Sequence, residues 1–264
     1  MCGAGGLPSV SGMSNSSASP GGRPPLSPPL ALVTGASRGL GRALAAGLAR
    51  EGFSLIIDAR NAAALEAVAA GIWDAGGTVT AVPGDVTDPE HRADLLRAVE
   101  KAGRLDLLVN NAGILGASPL PALADYPVGE LRAAFETNVI APIALTQLLL
   151  PALRASGGAV LNITSDAAVE AYAGWGGYGA AKAALEQASN VLAAEELAVR
   201  VWWADPGDLR TDMHQQAFPG EDISDRPEPG WVVPAFVRLV TERLPSGRYR
   251  DAHLLPPAAT GASS

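Results

Sequence analysis

From residue 30 onward, short runs of consecutive apolar residues alternate with longer Ala-rich stretches whose apolar positions recur at helical spacing. Unbroken apolar runs of four to six residues fit strands buried on both faces, as in a parallel sheet covered by helices. The pattern predicts strands at 30–34, 54–58, 78–82, 105–110, 159–164 and 200–204. Helices are predicted between them at 42–51, 62–75, 89–102, 128–156 and 179–195. Gly52 and the Gly76-Gly77 pair close the first two helices, and Pro142 and Pro151 are placed to kink and terminate the long one. Strand and helix alternating in this way predict right-handed crossovers. The expected fold is α/β: a Rossmann-type doubly wound parallel sheet in a single domain, with ligands at the carboxyl ends of the strands.

The pattern also sets boundaries. Residues 1–29 are dominated by Gly, Ser and Pro and lack apolar periodicity, so a disordered tail is expected there. The domain is assigned to 30–255, and 256–264 reads as a flexible C-terminal tail.

Composition narrows the function classes. A formal charge of −8 and a pI near 4.9, without a dense Lys/Arg cluster, argue against nucleic-acid binding. The single cysteine, Cys2, excludes an intramolecular disulfide and a cysteine-based metal site, and it fits a reducing cytosol. No secretory signal pattern is read at the N-terminus, and no unbroken apolar run approaches the ~20 residues of a membrane helix. A cytoplasmic protein without a membrane partner is therefore expected. His91, His214 and His253 lack ligand spacing and are expected to be solvated surface imidazoles.

The first strand runs into Thr34-Gly35-Ala36-Ser37-Arg38-Gly39-Leu40-Gly41, which opens the first helix. Glycines at such a turn let the backbone approach a pyrophosphate, and the helix N-terminus supplies free N–H groups. At the end of the second strand, Ala59 stands where a cofactor with a free ribose 2′-hydroxyl usually meets an acid. Arg60 follows, and with Arg38 it could clamp a 2′-phosphate. This favours NADP(H) over NAD(H). Asp58 is the competing feature, because a one-residue shift would bring a carboxylate to the ribose. Asp85 and Val86, after the third strand, either contact adenine or serve a helix cap.

Tyr178 and Lys182 are four residues apart, on one face of a predicted helix. Ser165 lies just past the fifth strand and Asn138 lies in the long helix. Carbonyl reduction needs a hydride on carbon and a proton on oxygen, and a tyrosine beside an ammonium and an oxidised nicotinamide can handle that proton. Taken singly, these residues could equally be a surface pair, an N-cap and a locally bonded amide.

In their order and spacing, Thr34-Gly-x-x-x-Gly-x-Gly41, Asn110-Asn111-Ala112-Gly113, Asn138, Ser165, Tyr178-x-x-x-Lys182 and Pro206-Gly207 resemble the short-chain dehydrogenase/reductase family, in its compact subgroup, over residues 30–215. The resemblance implies Tyr178 as acid/base, Lys182 as the group that tunes it, Ser165 as the residue orienting the substrate oxygen, and Asn138 as the holder of a water linking Lys182 to solvent. It implies that Gly35, Ser37, Arg38, Gly39, Leu40 and Gly41 hold the cofactor phosphates. Ala112 and Gly113 would wall the cofactor, with Asn111 more structural. Pro206 and Gly207 would approach the nicotinamide, and Thr211 would bond its carboxamide.

The implied activity is an NADP(H)-dependent oxidoreductase interconverting a small-molecule carbonyl and alcohol, as a homo-oligomer, dimer or tetramer. A non-catalytic NADP(H)-binding regulatory or scaffold protein is the alternative. Substrate contacts are expected from 114–126, 166–177 and 208–231, the last as an open or mobile lid. Trp175 and Tyr172 either wall the pocket or simply pack. Asp205 has no assigned role. Ser246-Gly247-Arg248-Tyr249-Arg250 departs from the family's usual final strand and puts a seventh strand in doubt.

Overall fold

The computed structural model describes residues 1–3 and 28–250. Residues 4–27 of the expected N-terminal tail, the expected C-terminal tail and His253 lie outside the described residues. Seven parallel strands form one sheet in the order β3-β2-β1-β4-β5-β6-β7. They are β1 (Leu30–Val33), β2 (Ser54–Ala59), β3 (Val79–Pro83), β4 (Leu107–Asn110), β5 (Ala159–Ile163), β6 (Arg200–Asp205) and β7 (Gly247–Arg250). The order reverses between β1 and β4, which opens a crevice at the carboxyl ends of the strands.

Helices cover both faces: α1 (Gly39–Arg50), α2 (Ala62–Asp74), α3 (Pro89–Ala102), α4 (Val128–Phe135), α5 (Ala141–Ser156), α6 (Gly176–Glu195), α7 (Asp212–Ala217) and α8 (Val233–Thr241). Strand residues alternate between two cores. Ala31, Val33, Leu107 and Val109 pack with α1, α2 and α8, while Leu32, Leu108 and Val160 pack with α3 and α5. The apolar runs of the sequence are thus apolar for two reasons, one for each face.

A π turn, Glu136–Ile140, joins α4 to α5 into one continuous helix. Val128–Ser156 is long and apolar enough to cross a membrane by length and composition, but Leu145, Leu149 and Leu153 are spent on the sheet's core. Pro151 is accommodated within α5, and Gly157, with φ +58°, ends it.

Two expectations are corrected: the seventh strand and the solvated histidines. The seventh strand exists, pairing Asp205 of β6 with Arg250 of β7. It went unrecognised because an edge strand of alternating charged residues carries no apolar run. Segment 208–231, the expected lid, holds α7 and a 3₁₀ turn, Pro229–Trp231. His91 and His214 are not solvated. His91 is buried beneath Gly84, where a Cβ would lie 2.1 Å from its Nδ1. The His214 side chain is only 10% exposed and stacks on Phe218 at 4.9 Å.

Candidate active site

A cleft of 960 Å³ runs along the carboxyl ends of the strands, as the fold requires. Every predicted cofactor residue lines it, as do Ser165, Tyr178 and Lys182; Asn138 does not.

At one end is the glycine loop. Gly35 has φ +66°, and a Cβ there would lie 2.8 Å from Ala112 Cα. A Cβ on Gly41 would lie 2.4 Å from Gly35 O. The loop is tied to the end of β4 by side chains. Thr34 Oγ1 accepts the N–H groups of Asn111 and Ala112, each at 3.0 Å, and Asn111 Nδ2 donates to Thr34 O at 2.8 Å. Asn111 lines the cleft with its amide already committed to the loop, the structural role expected of it. Arg38, the N-cap of α1, makes no side-chain cap bond, and no acid occupies the first turn. The free amides there fit a pyrophosphate.

Asp58 is withdrawn from the ribose position. It is buried; Oδ1 accepts the N–H of Gly35 at 2.8 Å and Oδ2 meets His91 Nε2 at 3.0 Å. Desolvation raises its pKa, against the hydrogen bonds from His91 and Gly35. Arg60 is exposed at the end of β2, while Arg38 Nη1 donates to Asp212 Oδ2 at 2.8 Å from across the cleft. Asp85 is also committed locally: its Oδ1 takes Thr87's N–H at 2.9 Å and hydroxyl at 2.8 Å. Burial pushes its pKa up, but the Thr87 bonds and the Arg60 charge outweigh that and hold it low. Capping of α3 falls to Asp88, which accepts the N–H of Glu90 at 2.9 Å.

In the middle of the cleft stands Tyr178, buried at the start of α6. Lys182, one turn on, puts Nζ 5.5 Å from the Tyr178 ring centroid and donates to Ile163 O at 2.8 Å. Burial pulls the Lys182 pKa down to about 8, against the charge of Glu186. Burial likewise pushes Tyr178 up, helped by the carboxylates of Asp205 and Asp166 and opposed by a hydrogen bond with Ser165. Without a bound nucleotide, therefore, Tyr178 holds its proton. Ser165 Oγ donates to Asp166 Oδ1 at 3.0 Å and also accepts the N–H of Ala167 at 3.2 Å, capping a 3₁₀ turn. It caps that turn while lining the cleft.

Asn138 sits in the π turn, and both ends of its amide are engaged by Ile114: Oδ1 accepts the N–H at 2.9 Å and Nδ2 donates to the carbonyl at 2.8 Å. The side chain fixes the loop after β4. Pro206, Gly207 and Thr211 line the far wall. Thr211 caps α7, accepting the N–H of His214 at 3.2 Å.

Sequence reasoning missed a charged network behind Tyr178. Asp205 is buried at the end of β6; Oδ1 accepts the N–H of Gly207 at 3.0 Å, and Oδ2 lies 3.3 Å from Arg250 Nε. Arg248 Nε donates to Glu186 Oε1 at 2.9 Å, and its Nη2 donates to Ser165 O at 3.2 Å. Glu186 also accepts from Thr164 Oγ1 at 2.7 Å. Its place four residues past Lys182, on the same helix face, was the available signal.

The short chain dehydrogenase family model matches residues 29–222. The chain belongs to the short-chain dehydrogenase family. It is 36% identical over 186 residues to 7alpha-hydroxysteroid dehydrogenase of Escherichia coli K12, covering 69% of this chain and 71% of that one. A short chain dehydrogenase structure from Shigella flexneri 2A str. 301, described as complexed with NADP, superposes with a TM-score of 0.80. The two are 32% identical over 85% of this chain and 97% of that one. One from Escherichia coli CFT073, described as complexed with NADPH, gives 0.79 at 32% identity over 84% and 96%. The cleft and its residues fit the nicotinamide cofactor of this oxidoreductase family.

Proposed function

We propose that the protein is an NADP(H)-dependent oxidoreductase that interconverts a small-molecule carbonyl and its alcohol, with Tyr178 passing the proton. The observation that carries this reading is the buried Tyr178 in one cleft with Ser165, with the Lys182 ammonium 5.5 Å from its ring centroid. The nicotinamide, when bound, supplies the hydride. Ser165 orients the carbonyl oxygen by turning its hydroxyl from Asp166 to the substrate. Tyr178, which burial keeps protonated, donates to the same oxygen. Lys182, held by the Ile163 carbonyl, supplies positive charge beside the phenolate that results.

NADP(H) is favoured over NAD(H) because Arg38 and Arg60 line the ribose end of the cleft, whereas Asp58 is turned beneath the loop. NADP and NADPH in the two similar structures support the same choice. A homo-oligomer is part of the proposal, formed through the α4–α5 and α6 helices, whose outer faces expose Ile140, Leu148 and Val191.

The test is NADPH oxidation with a panel of ketones and aldehydes. Turnover that falls by about 10²-fold or more in Tyr178→Phe is expected from loss of the acid. Tight NADPH binding without turnover of any carbonyl would instead favour a regulatory nucleotide-binding protein.

A further inference from the structure

Besides the two cores on the sheet, the protein has a third apolar cluster, and it sits in the cleft beside Tyr178. Leu115, Ala167, Tyr178 and Ala217 form its buried base, with Leu120, Trp175, Met213 and Phe218 half-buried around it. Its aromatic members form a continuous wall. The Trp175 ring meets Tyr178 edge-on at a centroid distance of 5.7 Å, Phe218 lies 6.0 Å from Trp175, and His214 stacks on Phe218 at 4.9 Å. The wall starts at the proposed proton donor and leads away from it onto α7. Trp175 and Tyr178 stand at the start of α6, and His214 and Phe218 stand in and at the end of α7, so the Trp175–Phe218 contact joins two elements across the cleft.

Apart from the Lys182 ammonium beside Tyr178, the charged side chains lining the cleft next to Ser165 are carboxylates. Asp166 accepts the Ser165 hydroxyl, and Tyr172, whose hydroxyl bonds both Asp166 and Glu170 at 3.0 Å, lines the same cleft. Asp205 and Asp208 line it too. Asp205 is matched by Arg250 and Arg248 from behind, but Asp166 is bonded only to neutral donors among its described hydrogen bonds. A carboxylate attached directly to the reacting carbonyl would be brought against Asp166 in a cleft of reduced dielectric, where like charges repel strongly.

We infer that the substrate is an uncharged carbonyl compound, or the matching alcohol, with a flat apolar ring system next to the reacting carbon, and that 2-oxo acids and small polar ketones are excluded. Stacked against Trp175 and Phe218, such a ring removes apolar area from water and sets the carbonyl at Ser165 and Tyr178. This inference rests on the proposed carbonyl chemistry, so its test reads binding apart from turnover.

The full-length protein saturated with NADP⁺, which cannot reduce a ketone, is titrated with 1-tetralone, hydroxyacetone and pyruvate by calorimetry. Tetralone is expected to bind at least tenfold more tightly than either. Phe218→Ala and, on a separate element, Trp175→Leu are each expected to weaken tetralone by about fivefold or more and to leave NADP⁺ affinity unchanged. Equal affinities for the three ligands, tighter pyruvate, or tetralone binding that neither variant alters would overturn the inference. NADPH oxidation by the same compounds reports separately on the proposed function: the ligand preference without turnover would sink that reading and leave this one standing.

Discussion

Asp58 and His91 form a buried pair that supports the nucleotide loop from below. Asp58 Oδ2 and His91 Nε2 are 3.0 Å apart, with side chains 1% and 4% exposed, and Asp58 Oδ1 holds the N–H of Gly35. The carboxylate on β2 is thus fixed between α3 and the glycine loop. Asp58→Ala strands a buried N–H and a buried imidazole together. Each unpartnered group costs about 1–3 kcal/mol, so a loss of roughly 2–5 kcal/mol is expected in urea unfolding. NADPH and NADH should weaken alike if the loop holds, as proposed, the pyrophosphate common to both. A loss confined to NADH would mean that Asp58 does reach the ribose.

The two arginines predict the opposite asymmetry. Arg38→Ala and Arg60→Ala should weaken NADPH far more than NADH, since only the former offers a 2′-phosphate. Arg38 is currently paired with Asp212, both side chains about two-thirds exposed. Such a pair is worth about 0–1 kcal/mol, so Asp212→Asn should tighten NADPH by up to about fivefold at low salt and leave NADH nearly unchanged. Fluorescence titration of the two nucleotides at two ionic strengths decides the matter. Equal effects on both would remove the 2′-phosphate assignment.

Much of this site was legible in the sequence because its signals are local. Glycines at a strand-to-helix turn and Tyr178 one helical turn before Lys182 are read within a few residues, and the fold then brings them to one cleft. His91 was not legible. Its partner lies 33 positions earlier, and nothing near it in sequence says that α3 presses its first turn onto β2. The apolar runs that marked six strands are absent from Gly247–Arg250, where Arg248 and Arg250 face Glu186 and Asp205 instead. Asp205 had no reading of its own because its counter-charges come from that unrecognised strand. Asn138 was found by position, but only the structure shows both ends of its amide taken by Ile114.

Lys182 makes stability depend on pH. In the folded protein burial draws its pKa down to about 8 from the ordinary 10.5. Between those values the unfolded chain carries more protons than the folded one, so stability rises with pH across this window. The contribution is complete above about pH 10.5 and is lost as pH falls through 8; the difference is on the order of 3 kcal/mol. Relative to Lys182→Met, the natural protein should therefore gain unfolding free energy between pH 7 and pH 10. Parallel urea curves for the two proteins over that range would show that the ammonium is not penalised by its burial.

Arg248 couples the edge strand to Ser165. Its guanidinium, 24% exposed, spans Glu186 and the Ser165 carbonyl and lies 3.7 Å from Asp205. Arg248→Met keeps the aliphatic stem but leaves Glu186, 12% exposed, and Asp205, 2% exposed, with less counter-charge. A loss of about 1–3 kcal/mol is expected, seen as a fall of roughly 3–10 °C in Tm for a domain of this size. Lysine has the charge but not the planar fork, so Arg248→Lys should recover only part of that loss. Because the lost donor also held the Ser165 carbonyl, kcat should fall further than the affinity for NADPH. Full recovery of both Tm and kcat by lysine would show that charge alone matters there, and that the bond to Ser165 holds nothing in place.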